Sequence, residues 1–283
     1  MLYAAYGSNL NADDLARRSD LRLEPLGPAF LPDREAAFSH RSTSRHGGAL
    51  DLRPRAGQLT PVMLFRVNEA ERDALDTKEG HPNHYRRVDT VALTDDGREI
   101  PVFTYVSRRS EPFVPPADEY VEIVRRGLAA HGLPDTHLDA AARNEPIPWL
   151  ADRLFAYGTL LRGESRHPIV ERLGLLDLEP ARAPGRLIHL GTYPGLLLAD
   201  DPSDMVRGEL LTLRDPSQAL PLLDAVEGFY RFGAPDSLYR RALLRAVADS
   251  GSDSLTWTYI YNGDAAGARR IPSGDWRQRR GSA

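Results

Sequence analysis

The chain writes one segment twice. Residues 2–10 read "LYAAYGSNL" and residues 154–163 read "LFAYGTLLRG", and each copy is followed by the same series of signals. After the first come "HGGALDLRP", "LDTKEG", "YRRVDTVAL" and "IPVFTYV"; after the second come "GTYPGLLLADD", "LDAVEG", "YRRALLRAV" and "LTWTYIYN". Tyr6 and Glu79 stand 73 positions apart, and Tyr157 and Glu227 stand 70 apart. A repeat of this length, kept in order and spacing, restricts the fold to two similar units in tandem, each closing its own core. At 283 residues there is room for both.

Composition limits what such units do. Hydrophobic residues make up 41% of the chain, charged residues 27%, and the mean hydropathy is −0.42, which describes a globular protein that folds without a partner. No apolar run reaches the length of a membrane span, and the start "MLYAAYGSNLNADD" lacks a basic leader region, so a cytoplasmic location with no membrane partner is expected. With no cysteine, disulfides, thiolate metal sites and a cysteine nucleophile are excluded. The formal net charge is −4 and neither half is basic, which argues against nucleic acid as a main partner. The terminal "RQRR" reads as a solvated tail.

Within each copy the pattern is strand, glycine turn, short polar helix, several strands, an amphipathic helix, then more strands. "VDTVAL", "PVFTYV" and "WTYIYN" have strand composition. "NEAERDALDTKEG", with Leu75 among charged residues, predicts a helix stopped at Gly80. "DEYVEIVRRGLAAHGLP" predicts a helix closed by Gly132 and Pro134 that packs on the first unit through Tyr120, Ile123, Val124 and Leu128. In "DAAARNEPIPWLAD", Pro146 and Pro148 forbid a continuous helix and suggest an extended connector. The expected domains are residues 1–148 and 149–283.

With these pieces in place, the sequence resembles the γ-glutamylcyclotransferase family twice over. The first copy is similar to the classical branch through "YAAYGSNL", "HGGALDLRP", "LDTKEGHPNHYRRV" and "PPADEYVEIVRRGLAAHGLP". The second is similar to the γ-glutamylamine cyclotransferase and AIG2-like branch through "FAYGTLLRGESRH", "YPGLLL", "GELLTL", "LDAVEGFY" and "WTYIYN". The resemblance implies an α+β fold: two tandem domains, each a mixed barrel-like sheet with flanking helices. It implies an enzyme that needs no cofactor or metal and acts on a small γ-glutamyl molecule. The glutamyl α-amine attacks the side-chain carbonyl, closes a five-membered lactam and releases 5-oxoproline with a free amine or amino acid.

That reaction requires a proton shuttle and N–H donors for the oxyanion. By resemblance the shuttles are Glu79 and Glu227. The cradles are the backbones around Tyr6, Gly7, Ser8, Asn9 and Leu10 and around Tyr157, Gly158, Thr159 and Leu160, with Tyr85 and Tyr239 as further substrate contacts. The second copy departs by an insertion, "RFGAPDS", which leaves open whether Tyr230 or Tyr239 matches the family tyrosine; it also replaces "SN" by "TL", removing one amide side chain. An alternative reading keeps the fold in one or both copies as a binding module without turnover. The leaving amine and the oligomeric state stay open.

Other chemistries find little support. His81 and His84 flank Pro82 without a third partner and read as loop residues. Ser8 is not in a G-x-S-x-G elbow, and neither a phosphate loop nor a dinucleotide fingerprint is present.

Overall fold

The computed structural model describes residues 1–279. By its contacts the chain divides into two compact units: Met1–Ala92 with Ile100–Trp149, and Leu93–Glu99 with the chain from Leu150 onward.

The first unit begins with strand β1 (Leu2–Ala5), a 3-10 turn (Ser8–Leu10) and helix α1 (Ala12–Ser19). A long hairpin follows, β2 (Glu24–Ser42) and β3 (Gly47–Arg66), then α2 (Glu69–Glu79), β4 (Tyr85–Leu93), β5 (Glu99–Ser107), α3 (Asp118–Ala130) and α4 (Thr136–Ala142). The strands close into a barrel in the order β1-β3-β2-β4-β5. β1 pairs antiparallel with β3 and parallel with β5, placing Tyr3 opposite Phe103. The hairpin bends around the barrel at three register shifts, Pro25/Gly27, Pro32/Arg34 and Phe38/His40, since bulges add the twist that closure demands. The hydrophobic core of this unit includes Tyr3, Phe38, Leu50, Leu64 and Phe103, and α2 contributes Leu75.

The second unit repeats the plan: β6 (Arg153–Ala156), α5 (His167–Arg172), β7 (Leu175–Pro184), β8 (Arg186–His189), β9 (Pro194–Leu197), β10 (Met205–Leu213), α6 (Pro216–Glu227), β11 (Tyr239–Ala248), β12 (Asp253–Tyr261) and β13 (Arg269–Arg270). Its barrel runs β10-β6-β12-β11-β7, with β6 antiparallel to β10 and parallel to β12, where Leu154 faces Trp257. A separate three-stranded sheet, β13-β8-β9, completes it. Both units are therefore mixed barrels with flanking helices, as the family resemblance implied.

Two expectations need correction. The segment before the boundary is not free of helix: "DAAA" is the end of α4 (Thr136–Ala142), with Leu138 and Ala141 buried, and residues 145–152 carry neither helix nor strand. Prolines at 146 and 148 limit a helix N-terminal to them without forbidding one several residues earlier. Nor are Arg277 and Arg279 solvated without partners. Arg277 bonds Glu209 at 2.8 Å, Arg279 bonds Glu164 at 3.0 Å, and Trp276 between the strand and these arginines is buried. Arg280, the last basic residue of that run, lies outside the described residues. No helix among the described residues is long and apolar enough to cross a membrane.

Candidate active site

Helix α2 is fixed at both ends. Asn68 caps it in a reciprocal box with Glu71, and Gly80 closes it with φ +62°, a conformation glycine adopts without strain. This sets the rotational phase. Leu75 points into the core, and one turn later Glu79 lies on the same face. In α6, Leu223 and Glu227 repeat the relationship, and Gly228 closes that helix at φ +65°.

A second device holds each helix end to its barrel. The Tyr105 hydroxyl donates to Asp76 at 2.7 Å, and Arg87 donates to the other carboxylate oxygen. In the second unit the Tyr259 hydroxyl donates to Asp224 at 2.7 Å and Arg241 donates at 2.8 Å. Arg241 is buried among Phe229, Phe232 and Trp257. Each aspartate thus anchors the glutamate three residues later. The paired "LD" before "EG" and the paired "YRR" carried this signal, although neither aspartate nor arginine stood out from spacing alone.

Glu79 opens onto a cavity of about 40 Å³ lined by Tyr3, Tyr6, Gly7, Ser8, Asn9 and Tyr85, among others. On its other side is a chamber of about 500 Å³ bounded by His40, Ser42, Arg45, Lys78 and His84. Ser8, Glu79, Tyr85 and Tyr120 border both, so the carboxylate stands between a narrow inner space and a wide outer one. Glu79 Oε1 accepts from Asn9 Nδ2 at 2.9 Å and from Lys78 Nζ at 3.0 Å. Asn9 also donates to the Tyr3 hydroxyl at 2.8 Å and accepts from Lys78 at 2.5 Å.

The 3-10 turn forms the cavity's floor. Its first internal bonds come from Leu10 and Asn11, which donate to the carbonyls of Gly7 and Ser8. The N–H groups of Gly7, Ser8 and Asn9 precede them and have no acceptor within the turn. Leu10 itself does not line the cavity. Its side chain packs under α3, where a Cβ at Gly127 would come within 2.7 Å of it. The Tyr6 hydroxyl donates to the Tyr105 carbonyl at 2.8 Å and Tyr85 to the Leu50 carbonyl at 2.9 Å. Burial, above all, pushes the Tyr3, Tyr6, Tyr85 and Tyr120 phenols up, so they stay neutral. Deeper in the chamber wall, burial would raise the Asp14 carboxyl, but the Arg45 and Arg17 guanidiniums outweigh it and bring it down to about 2.

The second cavity, about 30 Å³, is lined by Tyr157, Gly158, Thr159, Leu160, Glu227 and Tyr239, with Arg166, Tyr193, Pro194 and Tyr259. Equivalent bonds recur: Tyr157 donates to the Tyr259 carbonyl at 2.6 Å and Tyr239 to the Pro194 carbonyl at 2.5 Å. Of the two candidates, Tyr239 lines this cavity, whereas Tyr230 is 67% exposed. The surroundings of the carboxylate differ. Leu154, Leu160 and Val226 stand where the first unit has Tyr3, Asn9 and Lys78, and the nearest cation is Arg166 at 3.7 Å. Burial accordingly pushes Glu227 up to about 7, against the opposing charge of Arg166.

Each repeat thus sets a helix-end glutamate at a cavity bordered by a Tyr-Gly turn on a mixed barrel. The chain belongs to the family described as gamma-glutamyl cyclotransferase, AIG2-like, which it matches over residues 3–122 and again over 154–278. Among its relatives, the gamma-L-glutamyl-butirosin B gamma-glutamyl cyclotransferase of Niallia circulans is 35% identical over 128 residues, spanning 45% of this chain and 76% of that one. A solved gamma-glutamyl cyclotransferase structure is 25% identical with a TM-score of 0.46, over 52% of this chain and 89% of that one. YkqA of Bacillus subtilis is similar over 92% of this chain and 83% of its own, at 15% identity and a TM-score of 0.33. The protein is a cyclotransferase-type enzyme.

Proposed function

We propose that each repeat releases 5-oxoproline from a γ-glutamyl amide by intramolecular displacement, with Glu79 and Glu227 as the proton shuttles. Nucleophile and electrophile belong to one glutamyl group, so the site has to hold the cyclising conformer rather than supply a nucleophile. The carboxylate takes a proton from the α-ammonium. The amine then attacks the side-chain carbonyl, the shuttle returns its proton to the departing amine, and the ring nitrogen's second proton leaves with that amine as an ammonium. N–H groups of Gly7, Ser8 and Asn9 in one site, and of Gly158, Thr159 and Leu160 in the other, face the oxygen where negative charge develops.

The observation that carries this reading is the recurrence of one arrangement: a glutamate on the inward face of a helix's last turn, directed at a cavity floored by a Tyr-Gly-hydroxyl turn. Because the first cavity shares Ser8, Glu79, Tyr85 and Tyr120 with the wide chamber, while Arg166, Tyr193 and Pro194 border the second, the two sites are proposed to differ in the amine they release. The test is mass-spectrometric detection of 5-oxoproline with the purified chain and a panel comprising γ-L-glutamyl-alanine, γ-L-glutamyl-butylamine and ε-(γ-L-glutamyl)-lysine. Release of the amine with glutamate in place of 5-oxoproline would mean hydrolysis and would overturn the cyclisation.

A further inference from the structure

Lys78 occupies an unusual place for a lysine in the last turn of a helix. Such a side chain normally reaches into water, yet this one is only 10% exposed and turned inward, its ammonium held by Glu79 and Asn9. The second repeat has Val226 at the matching position, and there Arg166, from the loop after the glycine turn, comes to Glu227 instead. The two repeats therefore bring a cation to the same carboxylate from positions that do not correspond. Packing does not require this, since a buried ion pair adds little to stability over apolar side chains of similar size.

We propose that Lys78 is the charge partner of the first site's proton shuttle, neutralised by Glu79 at rest and uncovered when Glu79 takes the substrate's proton. The inference rests on the role of Glu79 given above. In the first step an N–H bond of the α-ammonium breaks and its proton passes to the carboxylate, which becomes neutral. Lys78 then keeps only the Asn9 carbonyl oxygen as a partner. In the next step the amine lone pair forms the new C–N bond and the carbonyl π pair moves to oxygen. The uncovered ammonium, only 10% exposed, thus stands beside the carboxylate as that negative charge appears, where its field is less screened than in bulk water. When the pair returns, the bond to the leaving amine breaks as that amine takes the proton from Glu79, the ring nitrogen's second proton passes to the freed amine, which departs as an ammonium, and the Lys78–Glu79 pair re-forms. Lys78 neither gains nor loses a proton. Arg166 plays the same part beside Glu227.

The chain's lack of cysteine makes a charge-specific test available. In a Glu227→Gln background, where only the first site shuttles protons, Lys78→Cys introduces a single thiol. Using whichever amide of the panel releases 5-oxoproline fastest, kcat should fall about 10- to 100-fold, with KM changed by no more than about twofold. Aminoethylation with 2-bromoethylamine restores a positive charge at nearly the original reach and should recover most of the loss; carbamidomethylation, similar in size but neutral, should recover none. Should Lys78→Cys not fold, as read by circular dichroism, Lys78→Arg against Lys78→Met makes the same comparison of charge. Undiminished kcat in the uncharged variants, or equal rescue by the neutral group, would overturn the role of Lys78. The Glu79→Gln/Glu227→Gln chain serves as the blank: turnover there would instead remove the reading of Glu79 on which the inference stands.

Discussion

Asn9 donates its side-chain amide to Glu79 at 2.9 Å, and in the second repeat a leucine, Leu160, takes its place beside Glu227. That one exchange, together with Val226 for Lys78, moves the second carboxylate from a polar mesh into an apolar wall. The two repeats thus offer the same reaction two electrostatic settings.

The first prediction concerns pH and rate in the second site. Burial pushes Glu227 up to about 7, and only the ionised form accepts a proton. In a Glu79→Gln chain, kcat/KM should therefore rise about tenfold per pH unit below 7 and level off above it. A profile flat from pH 5 to 8 would contradict the assignment of Glu227 as base.

The same shift makes a prediction for stability. Below the unfolded-chain value near 4.3, both states hold the proton and the contribution is complete. Between there and about 7 the unfolded chain has lost the proton while the folded chain keeps it, so stability falls as pH rises through this window. The loss is on the order of 3 kcal/mol, and Glu227→Gln should remove it. Urea unfolding of both chains at pH 5 and pH 8 measures the difference.

Glycine substitution should separate the two turns. A Cβ at Gly158 would lie 2.6 Å from Pro194 Cγ, and the Pro194 carbonyl accepts from Tyr239. Gly158→Ala is expected to cost about 1–3 kcal/mol through overpacking. At Gly7 the new methyl would meet only the Tyr120 hydroxyl at 3.7 Å and Leu50 at 3.8 Å, so Gly7→Ala should cost less than about 1 kcal/mol. Denaturant midpoints of the two variants decide.

Each barrel completes its five strands on one side of the segment between α4 and β6. We propose residues 1–148 and 149–283 as the two domains, and cutting within residues 143–152 should leave two pieces that fold separately. Far-UV circular dichroism of the isolated pieces checks it; two unfolded pieces would show that the barrels depend on each other.

Much of this was legible in the chain because a duplication prints its constraints twice. The helix ends at Gly80 and Gly228, the glycine turns and the glutamates all stood in order and spacing. What was hidden depends on contacts across the barrel: Asn9 meets Glu79, and Tyr105 meets Asp76, only after β1 and β5 come side by side. Arg166 was hidden for a related reason, because a cation supplied from a loop leaves no trace at the position it replaces. Helix α4 was obscured by the prolines that follow it, and the length of the β2–β3 hairpin by prolines within it, which bulges accommodate. The choice between Tyr230 and Tyr239 depended on where the inserted loop returns to β11, a matter of path rather than composition.

The most direct measurement of the central claim is 5-oxoproline release by three chains, Glu79→Gln, Glu227→Gln and the double variant, across γ-glutamyl amides with small and large amines. Glutamine keeps the shape and removes the base, a change that typically lowers the rate about 100- to 10,000-fold. Two working sites predict that each single variant loses the substrates of its own repeat and keeps those of the other, that the double variant loses all of them, and that all three chains keep the native circular dichroism. Contradiction would come from a double variant that still releases 5-oxoproline, or from one glutamate whose loss abolishes every substrate while the other's changes none, which would leave that second repeat as a binding module.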